Sequence, residues 1–267
     1  MSHFFRRANT ALEIFRKDGL GRVAEVLFAS SGLSGGVDFR QVARTALAET
    51  DNSDDALKRL VLGVKYVFGM GVAGDVAEFG TMTGRSAVAL AVAVNRLNTV
   101  FRLDPRGTKK IWLFDSFEGL PEARFDVDKN SQHVTAGTWA KGKCKGLDAT
   151  SFERLIAKYA EADEFHVVKG WFKDTVPALP AGQQFSMLHI DGDLYESAID
   201  VLAPLFERRM IARGGAIFFD DWNCNAADPD LGERRSWREM CEKHKIVFSD
   251  CGDYGDACHK FIVHDYS

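Results

Sequence analysis

The sequence predicts an α/β fold, a mostly parallel sheet with helices on both faces, and three observations carry that expectation. From residue 74 onward, short apolar runs alternate with amphipathic segments: GDVAEFG then SAVALAVAVNRL, IWLFDSF then SFERLIAKYA, EFHVVKG, FSMLHIDG then YESAIDVLAPLFERRM, and GGAIFFDDW. Strand and helix repeated in that order build a parallel sheet. Glycines and acids stand where the apolar runs end, which is where open α/β sheets place their ligands. Finally, 267 residues with 46% hydrophobic and 27% charged content suit one large globular domain or a domain with an appendage.

Residues 1–70 read as helices separated by the Gly/Ser-rich break SSGLSGG. One helix is expected over about residues 3–16 from its apolar spacing. Another follows NSDD, where Ser53 or Asp54 can cap ALKRLVLGVKYVFGM. There Leu57, Leu60, Val61, Val64 and Phe68 recur at helical spacing, so one face is buried. The first strand, GDVAEFG, is expected to end at Glu78, with Gly80 and Gly84 in the turn and a helix beginning near Ser86. This loop lacks the central glycine of the dinucleotide fingerprint G-x-G-x-x-G, and an acid at the strand tip repels phosphate but attracts a cationic amine. Both features favour S-adenosylmethionine over NAD, and a purely structural tight turn is the alternative. The second strand, IWLFD, places Asp115 at its tip, suited to ribose hydroxyls or to capping the next turn. The third, EFHVVKG, leads to Gly170 and Trp171, an aromatic for an adenine pocket or for the core.

The fourth strand runs into Asp191, Gly192 and Asp193, and the fifth into Asp220 and Asp221. If those strands are neighbours, four acids meet at the edge that carries the glycine loop. Two carboxylates about 4 Å apart repel by roughly 4 kcal/mol at an effective dielectric of 20. Such crowding calls for proton uptake or a cation, and hard oxygen ligands without nearby His or Cys favour Mg²⁺, with Mn²⁺ or Ca²⁺ as substitutes. Alternate strand residues face opposite ways, so one of Asp191 and Asp193 is free to act as a base. Asp221 has a plainer alternative as a cap of the following loop. His189 and His166 read as core residues, and His133 as a solvated loop residue. KIVFSDCGDYG and CHKFIVHDY are expected to form a terminal antiparallel pair. Residues 121–150 lack periodicity and read as an irregular lid or binding loop, its KGKCKG stretch solvated or attractive to an anionic acceptor.

Composition excludes several classes. The net charge is −4 with no long basic run, which argues against a nucleic-acid partner. No stretch approaches the roughly 18–20 apolar residues of a membrane span. Glu13 and Asp18 interrupt the N-terminal apolar stretch, against a signal peptide. Five cysteines without a C-x-x-C pair favour reduced thiols and a cytoplasmic location.

Together GDVAEFGTMTGRSA, IWLFDSFEGLP, KGWFKDTVPALP, LHIDGDLYESAIDVLAPL and GGAIFFDDW resemble the macrocin O-methyltransferase family, in order over residues 74–222. The resemblance implies a Rossmann-like class I methyltransferase: a seven-stranded, mostly parallel sheet with a terminal antiparallel strand, preceded by N-terminal helices. It implies a Mg²⁺-dependent enzyme that uses S-adenosylmethionine to methylate hydroxyls of sugars and glycosides. Asp191, Asp220 and Asp221 match metal ligands, and Asp193 the general base. Glu78, Gly80, Asp115 and Ser116 match cofactor positions, and the expected cofactor set also takes in Thr81, Gly84, Ser86, Gly170, Trp171 and Asp191. On this reading residues 1–70 are a helical cap or oligomerisation segment, with Phe4, Phe5, Leu12 and Phe15 as its apolar face. Residues 71–267 form the S-adenosylmethionine-binding domain, and a homodimer is expected. The G-T-M-T-G loop, the 121–150 insertion and NCNAADPDLGERRSW depart from the family pattern, so the acceptor is expected to be this chain's own.

Three other readings compete. The D-x-D at Asp191–Asp193 also suits a metal-dependent glycosyltransferase that binds a nucleotide-sugar diphosphate, but that leaves Glu78 and the Gly80 turn unexplained. A NAD-dependent sugar dehydrogenase explains the glycines but not the converging acids. A non-catalytic S-adenosylmethionine-binding protein is the third.

Overall fold

The computed structural model describes residues 55–104 and 107–267. The helix expected over 3–16 and the proposed caps Ser53 and Asp54 lie outside the described residues. Helix α1 (Asp55–Gly69) buries Leu57, Leu60, Val61, Val64 and Phe68, the five positions its spacing singles out. It lies against α2 (Arg85–Phe101) and against the middle of the sheet.

Seven strands form one sheet: β1 (Asp75–Phe79), β2 (Ile111–Asp115), β3 (Phe165–Lys169), β4 (Phe185–Ile190), β5 (Ile211–Phe219), β6 (Val247–Asp253) and β7 (His259–Asp265). Their order is β3-β2-β1-β4-β5-β7-β6. Strands β1 to β5 pair in parallel, and β7 runs antiparallel to both β5 and β6. The terminal pair is therefore present, with β7 inserted inside β6. Helices α1 and α2 cover one face through Leu60, Val64, Leu90 and Leu97. The other face packs on α7 (Tyr195–Glu207) and α8 (Gly232–His244), through Val201, Leu205, Phe206 and Trp237. Among the described residues no helix is long and apolar enough to cross a membrane.

The segment expected to be irregular has more order than its composition suggests. It contains two single-turn helices, α3 (Asp126–Lys129) and α4 (Gln132–Thr135), and ends at α5 (Ala149–Ile156), which Asp148 caps through the Ser151 N–H at 3.0 Å. One turn is too short to leave a 3.6-residue period in the sequence. A further single turn, α6 (Phe172–Thr175), follows β3.

The strand order reverses between β1 and β4, and a crevice opens at such a switch point beyond the strand ends. The register pairs Phe79 with Ile190 and Ile190 with Phe219, so Gly80, Asp191 and Asp220 leave the sheet side by side. The connection into β2 is held by Asn98, which is buried on α2. Its Nδ2 donates to the Lys109 carbonyl and its Oδ1 accepts the Lys109 N–H, each at 2.8 Å. Asn98→Ala strands both groups and is expected to cost about 2–3 kcal/mol in urea unfolding. An unchanged midpoint would contradict that account.

Candidate active site

A cleft of about 1050 Å³ lies at the switch point. Gly80 forms its inner edge with φ of +95°, and a Cβ there would come within 1.7 Å of the Asp191 carbonyl oxygen. Only glycine fits so close an approach in that conformation. Gly84, at φ of +88°, begins α2 without a side-chain cap; it is not among the residues that line the cleft, and a Cβ there would meet Leu155 and Phe152, while its neighbours Thr83, Arg85 and Ser86 do line it. Asp115 holds the loop between them. Its Oδ2 accepts the Thr81 N–H (2.8 Å), the Thr81 hydroxyl (3.1 Å) and the Met82 N–H (3.1 Å), while Oδ1 accepts the Phe117 N–H at 2.6 Å. The turn-capping reading of this residue is what the hydrogen bonds show, with both oxygens organising backbone turns, and the residue also lines the cleft. Ser116 acts similarly, donating to the Gly119 carbonyl and accepting the Glu118 N–H. Thr81, Ser86, Gly170 and Trp171 also line the cleft, with Trp171 half-buried ahead of α6.

Glu78 differs from the expectation of an acid at the strand tip. The strand continues to Phe79, and Glu78 is wholly buried one residue inside, on the face shared with His189. Its Oε1 lies 2.9 Å from His189 Nδ1, and its Oε2 has no hydrogen-bond partner. His189 is a core residue, as its apolar strand implies, but it also stands beside the acids. Its Nε2 lies 3.5 Å from Asp220 Oδ1, close enough for charge attraction though not aligned for a hydrogen bond. Burial alone would lower the His189 pKa; Asp220 and Glu78 outweigh it and raise it to about 10. The two carboxylates thus favour the protonated imidazole beneath the cleft.

The four acids do converge. The Asp193 N–H donates to Asp221 Oδ2 at 3.2 Å, and Asp193 itself has φ of +61°. Burial, then the charges of Asp220 and Asp221, push Asp191 well above the usual carboxylate range. Burial and the charges of Asp193 and Asp220 do the same to Asp221. Asp193 is raised to about 6, chiefly by burial. Asp220 goes the other way: burial opposes ionisation, but His189 holds it below its ordinary value. A fifth acid, Glu233 near the start of α8, was not singled out by sequence. Its Oε2 accepts the Asp221 N–H at 2.9 Å, and its Oε1 is buried without a partner. Nothing in GERRSW marks it, because only the tertiary fold brings α8 against Asp221.

The expectation that no His or Cys stands near the acids needs correction. Besides His189, Cys258 Sγ donates to Asp220 at 3.3 Å and Cys224 Sγ to Asp221 at 3.4 Å. Cys144, from the KGKCKG stretch, also lines the cleft, where the charge of Asp193 bears on it. These cysteines sit in loops that fold back over the strand ends, a contact that linear spacing does not reveal. Burial and the neighbouring carboxylates raise all three thiols, Cys144 to about 12, so they are neutral at pH 7 rather than thiolate ligands. Among the described residues no three His, Cys, Asp or Glu side chains form a ready-made metal set. The oxygen donors of Asp191, Asp220 and Asp221 nonetheless fit a hard divalent cation, and the crowding shows in Glu233, whose buried Oε1 has no partner and whose carboxyl is pushed well above its ordinary range by burial and the neighbouring acids.

A family model described as Macrocin-O-methyltransferase (TylF) matches residues 10–247. The 8-demethyl-8-(2,3-dimethoxy-alpha-L-rhamnosyl)-tetracenomycin-C 4'-O-methyltransferase of Streptomyces olivaceus is 31% identical over 197 residues, 72% of this chain and 67% of that protein. The mycinamicin III 3''-O-methyltransferase of Micromonospora griseorubida is 25% identical over 216 residues, 80% of this chain and 79% of its own. The structure of the O-methyltransferase NovP superposes with a TM-score of 0.62 at 22% identity, covering 79% of this chain and 80% of that one, and shows the same fold.

The role of Asp115 is open to direct measurement. Asp115→Asn removes a charged acceptor from the Thr81 and Met82 N–H groups, and hydrogen bonds to a charged group contribute about 1.5–3 kcal/mol. Calorimetric titration with S-adenosylhomocysteine should show at least about tenfold weaker binding; wild-type affinity would mean that the loop shapes itself without Asp115.

Proposed function

This chain belongs to the macrocin O-methyltransferase family and is an S-adenosylmethionine-dependent O-methyltransferase, and from that premise we propose that it methylates a hydroxyl of a sugar or other diol-bearing glycoside with the help of a divalent cation, Mg²⁺ foremost. The observation that carries the reading is the meeting, in one cleft, of the Gly80 loop with the acids of β4 and β5. Two relatives are by name methyltransferases acting at 4' and 3'' positions, one of them on a rhamnosyl tetracenomycin, which supports a glycosidic acceptor.

The cofactor set proposed from sequence is supported where it lines the cleft: Gly80, Thr81, Ser86, Asp115, Ser116, Gly170, Trp171 and Asp191. Glu78 acts from behind it, through His189. Asp191, Asp220 and Asp221 would hold the cation. When bound, S-adenosylmethionine supplies the methyl group, and the cation supplies positive charge that favours ionisation of a sugar hydroxyl. The chain's own groups do the rest. Asp115 holds the glycine loop by that loop's own N–H groups, and the N–H groups at the start of α2 orient the cofactor's amino-acid end. His189 keeps Asp220 ionised by its charge. Asp193, with its pKa near 6, takes the hydroxyl proton on a carboxylate oxygen, close to the pH at which a general base works best. Much of the acceleration lies in holding the acceptor oxygen in line with the methyl carbon. Family membership leaves the glycosyltransferase and dehydrogenase readings without support.

Methyl transfer to a panel of glycosides and vicinal diols should fall at least about 100-fold in EDTA and return with Mg²⁺, since charge stabilisation by a metal is worth several kcal/mol. Turnover indifferent to chelation would remove the cation from the reaction. Asp193→Asn should bind S-adenosylhomocysteine as the wild type does while kcat drops about 10²–10⁴-fold; near-normal kcat would exclude Asp193 as the base.

A further inference from the structure

Residues 119–147 are fastened at several points, and the fastenings converge on the two loops that carry the acids. Their neck is closed by the Leu120 N–H donating to the Lys143 carbonyl (2.8 Å) and the Gly142 N–H to the Leu120 carbonyl (2.9 Å). Inside the segment Asp128 is only 2% exposed. One of its oxygens accepts the Tyr195 N–H at 2.7 Å and the other the Glu196 N–H at 3.1 Å. Those are the first residues of α7, a helix preceded by Leu194 and without a capping side chain of its own. Asp128 thus supplies from a distant segment the acceptor that an N-cap residue normally provides. Both of its side-chain bonds leave the segment. Burial raises its carboxyl to about 6, with the Tyr195 N–H pulling the other way, so burying this acid carries a cost that its own loop does not require.

The second anchor reaches the other acid loop. The Ser131 hydroxyl donates to Asn225 Oδ1 at 2.7 Å, and the Gln132 N–H reaches the same oxygen at 3.2 Å. Asn225 is buried four residues beyond Asp221. Trp139 packs with Leu194 and Cys224, touching both loops at once. Arg124 pairs with Glu196. Between these anchors lies the turn Asp191–Leu194, tight enough that the Leu194 N–H meets the Gly192 carbonyl at 2.6 Å, with Asp193 left-handed. Such a turn takes its geometry from what is pinned on either side of it.

We infer that Asp128, with Asn225 as the second anchor, is a positioning residue for methyl transfer: residues 119–147 are a fixed brace that sets Asp193 against the acceptor hydroxyl. The inference rests on the role proposed above for Asp193. The bonds of Asp128 itself go only to the start of α7, whereas the segment meets the cofactor-side loops separately, through the Leu147 N–H on the Met82 carbonyl at 3.1 Å and the Ser116 hydroxyl on the Gly119 carbonyl at 2.9 Å, so losing the Asp128 bonds separates turnover from cofactor affinity.

Three variants test it: Asp128→Ala, which removes both acceptors; Asp128→Asn, which keeps one; and Asn225→Ala. In Asp128→Ala the kcat for a glycoside or diol should fall about 10- to 100-fold, the scale of an ångström of misplacement. Asp128→Asn should lie between it and the wild type, and S-adenosylhomocysteine affinity should stay within about twofold in both, against the uniform loss expected of general damage. Hydrogen exchange should quicken at the Tyr195 and Glu196 amides in Asp128→Ala, and at Gln132 in Asn225→Ala. Wild-type kcat in Asp128→Ala, or kcat and cofactor affinity falling together, overturns the inference. Should Asp128→Ala fail to fold, Asp128→Asn carries the same readings. Exchange is read without turnover: unchanged protection at Tyr195 and Glu196 sinks the brace alone, whereas wild-type protein that methylates no hydroxyl overturns the functional reading and Asp193's part in it.

Discussion

Negative charge gathered at the ends of β4 and β5 is the constraint on which the rest of this structure depends. Asp191, Asp193, Asp220 and Asp221 line one side of the cleft, Glu233 is buried behind Asp221, and the buried imidazole of His189 lies beneath them. The imidazole is itself held by Glu78, so the first strand contributes to the same balance. Three neutral thiols and the Tyr254 hydroxyl occupy further positions around the acids. What remains is a surplus of negative charge beside a glycine loop too closely packed for any larger residue at Gly80. That surplus costs stability in the free protein, and burial with repulsion raises Asp191 and Asp221 as a result.

The fold was legible because each signal was local. The apolar positions of α1, the alternation of short strands with amphipathic helices, and the glycine turn after β1 all report on neighbouring residues, and the sheet follows their plan. The convergence of Asp191 with Asp220 was legible too, because adjacent parallel strands that end in register deliver their next residues together. Less of the site's wiring could be read. Glu78 looked like a strand-tip acid because the apolar run is ambiguous by one residue, and one residue turns a side chain to the other side of a strand. His189 was read as core, which it is, but its pairing with Glu78 depends on register across β1 and β4. Glu233, Cys144, Cys224 and Cys258 arrive from loops and from α8, where no period links them to the acids.

The same distinction explains the 121–150 segment. Low periodicity suggested a loose cover over the cleft, yet its contacts are those of a strut. Asp128 caps α7, Ser131 meets Asn225, and Trp139 packs between the two acid loops. The cleft is thereby built from two kinds of material, strand ends and glycine turns on one side and a fastened segment on the other.

Magnesium binding itself tests the central claim most directly. Calorimetric titration of Mg²⁺ into protein saturated with S-adenosylhomocysteine should show one ion per chain for the wild type and no binding in Asp191→Asn or Asp220→Asn. No measurable binding by the wild type, or binding that both variants retain, would contradict the account.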